Sequence, residues 1–138
     1  MKKSILLAVI VLLLTSSSLF AKTIWIQDGT NDHPSMVTFY NALIEDLKLT
    51  QYKEYIKTVT NNDQIKQQKG DIRITLAGNG SSTNTGNITY FYWIGCKLDN
   101  CDSWAFQSSS HVLFSDNYIF EQARTIRIAI VKFLDENF

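Results

Sequence analysis

The chain has one proline, Pro34, two histidines, two cysteines and no surplus of either charge, with thirteen basic residues against thirteen acidic ones among 138. Each shortage excludes something. A nucleic-acid footprint or a polybasic membrane patch needs clustered Lys and Arg in excess, which a balanced chain lacks. A structural metal site needs more soft ligands than His33, His111, Cys96 and Cys101 supply at useful spacing. Scarce proline and abundant aromatic and β-branched residues argue against disorder and for a packed fold containing sheet. No internal repeat appears at any period, and no apolar run reaches the ~20 residues that cross a bilayer.

The longest apolar run, Ile5 to Leu14, follows Lys2 and Lys3 and leads through Thr15 and Ser16 to Ser18 to Ala21. A basic start, a short apolar stretch and a small-residue exit form the layout of a secretory signal peptide, so residues 1–21 are expected to be cleaved, with Leu19 a less usual residue near the cut. No cysteine lies at the site to carry a lipid, and no stable membrane anchor is expected after cleavage. Residues 22–138 then form one expected exported α+β domain, a size that buries one core. Without Lys2 and Lys3, eleven basic residues face thirteen acidic ones, a formal charge of about −2.

Cys96 and Cys101 bracket Lys97, Leu98, Asp99 and Asn100. In an exported chain an even cysteine count reads as a disulfide, here clamping the ends of a tight hairpin loop. A redox-active pair usually has a two-residue spacer at a helix start, and a metal half-site would need further ligands.

Along the mature chain, Ile24, Trp25 and Ile26 followed by Asp28 and Gly29 predict a short strand ending in a turn. Asn31 and Asp32 are the expected helix caps, with Pro34 near the first helical position. Met36, Val37, Phe39, Tyr40, Leu43, Ile44 and Leu47 form an amphipathic stripe that ends near Lys48. Glu54 to Thr60 reads as a strand, and Asn61 to Asp63 as a turn or cap before a short polar stretch ending at Gly70. Asp71 to Ala77 alternates Ile72, Ile74 and Leu76 against Arg73 and Thr75 and predicts a half-buried strand. Gly78 to Gly86 reads as a loop.

Asn87 to Cys96 places Phe91 and Trp93 on one face and Tyr90, Tyr92 and Ile94 on the other. Asp102 to Phe114 is expected to return as its hairpin partner, with Ser108 to Ser110 marking a bulge. Asp116 or Asn117 would cap a last helix whose stripe is Ile119, Phe120, Ala123, Ile126, Ile130, Phe133 and Leu134, widened by Ile128 and Val131. The order predicts an α+β two-layer sandwich: a mixed or mostly antiparallel sheet of four to five strands with two main helices on one face.

Thr23 to Gln27, the helix Met36 to Leu47, the strand Asp71 to Ala77, the hairpin 88–114 and the ending Gln122 to Leu134 follow an order that resembles the small envelope domains of the TolB amino-terminal and PelC type. The resemblance is one of layout and carries no shared motif, and the Cys96–Cys101 loop stands outside it. It implies a domain used for protein contact in periplasmic or outer-membrane assemblies and transfers no functional residue.

Catalytic chemistry has thin support. Ser108 to Ser110 and His111 lack nucleophile-elbow spacing and an orienting group, and read as strand surface. Asp28, Asn31, Asp32 and His33 gather possible cation ligands, but turn and cap chemistry explains them better and their spacing is not that of a calcium loop. Gly78-Asn79-Gly80 does not open a helix and so is no phosphate cradle. Asn79 and Asn87 fit glycosylation patterns that matter only in a glycosylating host, and the leader has a bacterial look.

The aromatic hairpin remains. Tyr90, Tyr92, Trp93, Lys97, Leu98, Trp104 and Phe106 form the candidate interface if one sheet face is open; if both faces are covered, every ring is core. The expectation is a non-enzymatic periplasmic or secreted module that binds another protein of the periplasm or outer membrane, as an accessory subunit of an envelope assembly, with no cofactor and no metal. The alternatives are an inhibitor or immunity protein against a toxin or lysozyme-like enzyme, and a glycan or small-ligand binder that stacks sugars on Trp93 and Trp104.

Overall fold

The structure is a computed structural model describing residues 22–66, 68–84, 86–97, 108–115 and 118–138, with backbone alone at 83, 86–90 and 108–115. Its centre is a five-stranded mixed sheet with strand order β2-β1-β3-β4-β5. β1 (Ile24–Thr30) lies parallel to both neighbours, β2 (Ile56–Val59) and β3 (Ile72–Thr83), while β4 (Gly86–Lys97) runs antiparallel to β3 and to β5 (Ser108–Ser115). Flanked on both edges, β1 buries Ile24, Trp25 and Ile26 in succession, as a strand inside a parallel segment does.

Two helices, α1 (Pro34–Leu47) and α2 (Ile119–Asn137), pack on one face of this sheet. Pro34 opens α1 where a missing N–H costs nothing, and residues three and four apart place Met36, Phe39, Leu43, Ile44 and Leu47 on its buried side. In α2 the same spacing buries Ile119, Ala123, Ile126, Ile130, Phe133 and Leu134. Beneath them Ile24, Ile26, Ile72, Ile74, Leu76, Phe91 and Trp93 complete one core. The Phe39 and Phe91 rings stand 4.1 Å apart, centroid to centroid, and Trp93 meets Phe133 edge-on at 5.8 Å. Gly95 lets that edge come close, since a Cβ there would lie 2.6 Å from the Phe133 ring. The fold is thus the expected α+β two-layer arrangement with a mixed sheet.

Four local expectations change. Asn31 and Asp32 do not cap α1: His33 does, its Nδ1 accepting the Ser35 N–H at 3.3 Å. Gly29 lies within β1 and not in a turn, because a Cβ there would meet the Leu76 carbonyl oxygen at 2.7 Å and glycine permits that approach.

The segment from Gly78 is strand up to Thr83, not loop. Its weak intrinsic preference is overridden by an unbroken ladder with β4 running from Ile72↔Lys97 to Thr83↔Gly86. Asn31 secures it as well, donating to Asn79 Oδ1 and the Gly80 carbonyl and accepting the Gly80 N–H at 3.0 Å. Finally, the ladder from Ile88↔Ser115 to Gly95↔Ser108 is continuous, so the serines carry no bulge. Asp116 and Asn117 lie outside the described residues, and α2 begins after Tyr118, which makes no side-chain cap.

Candidate functional site

Because both helices occupy one face, the opposite face of the sheet carries no α-helix among the described residues. The strand registers arrange it in rows. Lys57, Trp25, Arg73 and Cys96 form one; Val59, Gln27, Thr75 and Ile94 the next; Ala77 and Tyr92 belong to a third. Toward β4 the side chains of Thr75, Ala77, Tyr92, Ile94 and Cys96 are half-buried. Toward β2 the β2–β3 connection reaches this face, and Trp25 is 8% exposed.

Asp71 anchors that corner. It is 1% exposed, and its carboxylate accepts the N–H groups of Thr23 at 2.8 Å, Trp25 Nε1 at 2.9 Å and Gln68 at 3.2 Å. The Lys57 ammonium sits 5.4 Å from the Trp25 ring centroid, a cation over a π face. Arg73 Nη2 donates to Gln27 Oε1 at 2.6 Å and also to Asn62 Oδ1 in the short helical turn after β2. Its Nε is buried with no hydrogen-bond partner, and burial lowers the guanidinium's pKa from its ordinary value.

Of the residues singled out in the sequence, Tyr92 lies half-buried on this face and Lys97 ends β4 in register with Ile72, on the helix-side parity. Tyr90 belongs to β4 by its backbone. Trp93 is a correction: at 0% exposed it is core under Phe133, so it presents nothing to a partner and stacks on no sugar. The alternation of β4 that turns Tyr92 outward requires Trp93 to point inward. Leu98, Trp104, Phe106 and Cys101 lie outside the described residues; Cys96 closes the first row of the face. Trp25, Lys57, Arg73 and Asp71 were missed. The alternation of Arg73 and Thr75 against the buried isoleucines was their available signal, but it cannot say which strands neighbour one another.

Two of the concavities among the described residues lie elsewhere. One of about 260 Å³, at the carboxyl ends of β1 and β2, is lined by Asp28, Tyr40, Thr58, Thr60 and Gln64. Burial, together with the Asp28 charge, pushes the Tyr40 phenol up to about 12. Asp28 itself accepts the Thr30 N–H and hydroxyl at 3.0 and 2.6 Å, which is turn chemistry. The other is a groove of about 830 Å³ between the outer sides of the helices, lined by Asn41, Ala42 and Glu45 of α1 and by Phe120 and Arg124 of α2. Among the described residues no three His, Cys, Asp or Glu side chains gather as a metal would require. No helix there is long and apolar enough to cross a membrane.

No family model matches the sequence, and no curated protein does. By structure the chain is similar to TolB from Acinetobacter baumannii, with a TM-score of 0.51 and 13% identity over 83% of this chain and 29% of that one. The chain therefore spans less than a third of the TolB chain it matches. A structure of an uncharacterized protein matches at a TM-score of 0.48 and 7% identity, covering 82% of this chain and 92% of the other. The resemblance to TolB read from element order holds as a likeness of fold.

Proposed function

We propose that this protein is a non-enzymatic protein-binding module of the bacterial cell envelope, acting in the periplasm as an accessory subunit of an envelope assembly. The observation that carries the reading is the sheet face that bears no α-helix among the described residues, which places the half-exposed Tyr92 and Ile94 on the same side of the sheet as Arg73. Tyr and Arg anchor protein contacts because they bring large area or several donors at small entropic cost. The fold likeness to TolB and the signal-peptide layout of residues 1–21 support the compartment.

The test is photocrosslinking in intact cells of the native host, with a probe at Tyr92 or Ile94 and controls at Val37 and Leu49, both exposed away from the face. One adduct from the Tyr92 and Ile94 probes, absent from the controls, is the expected result. Equal labelling at all four positions, or none at Tyr92 and Ile94, would remove the reading.

A further inference from the structure

Arg73 and Lys57 flank Trp25 in a single row of the helix-free face. Among the described residues the ion pairs are Lys48 with Glu45 and Lys53 with Glu54, so no carboxylate pairs with either cation of the row. The acid on the same side of β3, Asp71, is buried and directs its oxygens to the N–H groups of Thr23, Trp25 and Gln68.

Arg73 is positioned but not neutralised. Gln27 and Asn62 accept from its Nη2, and both are uncharged amides, so they fix the guanidinium without cancelling its charge. Its Nε is buried without a hydrogen-bond partner, as is that of Arg127 on α2, so the guanidinium is drawn partly out of water with no counter-charge beside it. Lys57 holds its ammonium over the Trp25 ring, adding a second positive charge to the same row. A guanidinium already held in place loses little freedom on meeting a carboxylate, and its planar fork suits one.

We propose that the row Lys57, Trp25 and Arg73 recognises an acidic segment of a partner protein, with partner carboxylates meeting the two cations and the half-exposed Tyr92 and Ile94 supplying apolar contact alongside. This rests on the protein-binding reading above and names the chemistry of that partner.

Calorimetric titration with hexaglutamate, against hexaglutamine and hexalysine, tests it directly. Hexaglutamate is expected to bind, and to weaken as salt screens the contact. Arg73→Gln should weaken it about tenfold or more, since hydrogen bonds to charged groups are worth ~1.5–3 kcal/mol and ~1.4 kcal/mol is a factor of ten. Arg73→Lys should recover part of the loss. Lys57→Gln, an exposed change outside the Gln27 and Asn62 contacts that removes only the cation over the Trp25 ring, should weaken binding in a protein whose melting falls by no more than that contact's ~0.5–1 kcal/mol. Arg124→Gln, the same charge change on α2, should leave binding unaltered.

Equal losses from Arg73→Gln and Arg124→Gln, or hexaglutamate binding no better than hexaglutamine, would overturn the proposal. So would tighter binding to phosphatidylglycerol vesicles than to the peptide, which would indicate an anionic membrane surface. In cells, a Tyr92 adduct retained at full yield in the Arg73→Gln, Lys57→Gln double variant would overturn acidic recognition while leaving the protein-binding reading intact. Absence of the adduct from the unaltered chain would remove both.

Discussion

Two of the N–H donors held by Asp71, those of Thr23 and the Trp25 indole, come from the start of β1, and the third, from Gln68, belongs to the connection leading into β3. One carboxylate therefore ties the two central parallel strands together at their amino ends. Replacing it by alanine leaves those donors without their acceptor, and each buried unsatisfied group costs ~1–3 kcal/mol. Asp71→Ala is expected to lower stability by about 2 kcal/mol or more, read as a lower urea midpoint at unchanged slope. Tyr40 supplies a pH signature. Its phenol is pushed from 10.0 to about 12 in the folded chain. Between those values the unfolded chain releases a proton that the folded chain keeps, so its contribution is intact below pH 10 and is lost as pH rises toward 12. Stability curves for Tyr40→Phe should lack that part of the alkaline decline, and a tyrosinate titration should lack one late-ionising ring. An unchanged alkaline curve would contradict the assignment.

At the scale of elements, α2 shows how far periodicity reaches. Of the stripe Ile119, Phe120, Ala123, Ile126, Ile130, Phe133 and Leu134 read from spacing, all but Phe120 are buried, while Phe120 and the widening Ile128 are 70% and 58% exposed. Ile128→Glu should change stability by no more than ~0.5 kcal/mol, as exposed substitutions do. Ile126→Glu, at a position 1% exposed, should cost ~3 kcal/mol or more by placing an unpaired charge in the core. Thermal melts of the two variants separate these outcomes, and similar losses would refute the orientation of α2. The far half of β3 teaches the opposite lesson. Gly78 to Thr83 has turn composition, yet it pairs along its length because β4 offers a long partner and Gly80 leaves room for His33. A Cβ at Gly80 would stand 2.5 Å from the His33 ring, so Gly80→Ala should cost ~1–3 kcal/mol in the same assay.

For the whole molecule, the layering decides what is available for function. Both helices lie on one side, so β4 sends Phe91 and Trp93 into the core and Tyr92 and Ile94 to the opposite face, where they are half-buried. The Cys96–Cys101 cross-link belongs to this scale, since it would brace the end of the β4 hairpin. Intact mass under non-reducing conditions should show the loss of two hydrogens. Serine at both positions should lower stability by about 2 kcal/mol or less, because a short loop constrains the unfolded chain little. An unchanged mass on reduction would exclude the bond.

What the sequence determined by itself is whatever depends on spacing within an element. The stripe of α1, the stripe of α2, the alternation of Ile72, Ile74 and Leu76, and the two-layer α+β order follow from periods of 3.6 and 2 that any packed chain must satisfy. What only the tertiary structure decided depends on which strands become neighbours. Placing β1 between β2 and β3 brought Lys57, Trp25 and Arg73 into one row, put Asp71 beneath Trp25, and turned a glycine-rich stretch into strand. Residues 48 positions apart, such as Trp25 and Arg73, leave no mark on each other in local pattern. Their meeting is set by the burial of a shared core, a property of the assembled sheet and not of any segment within it.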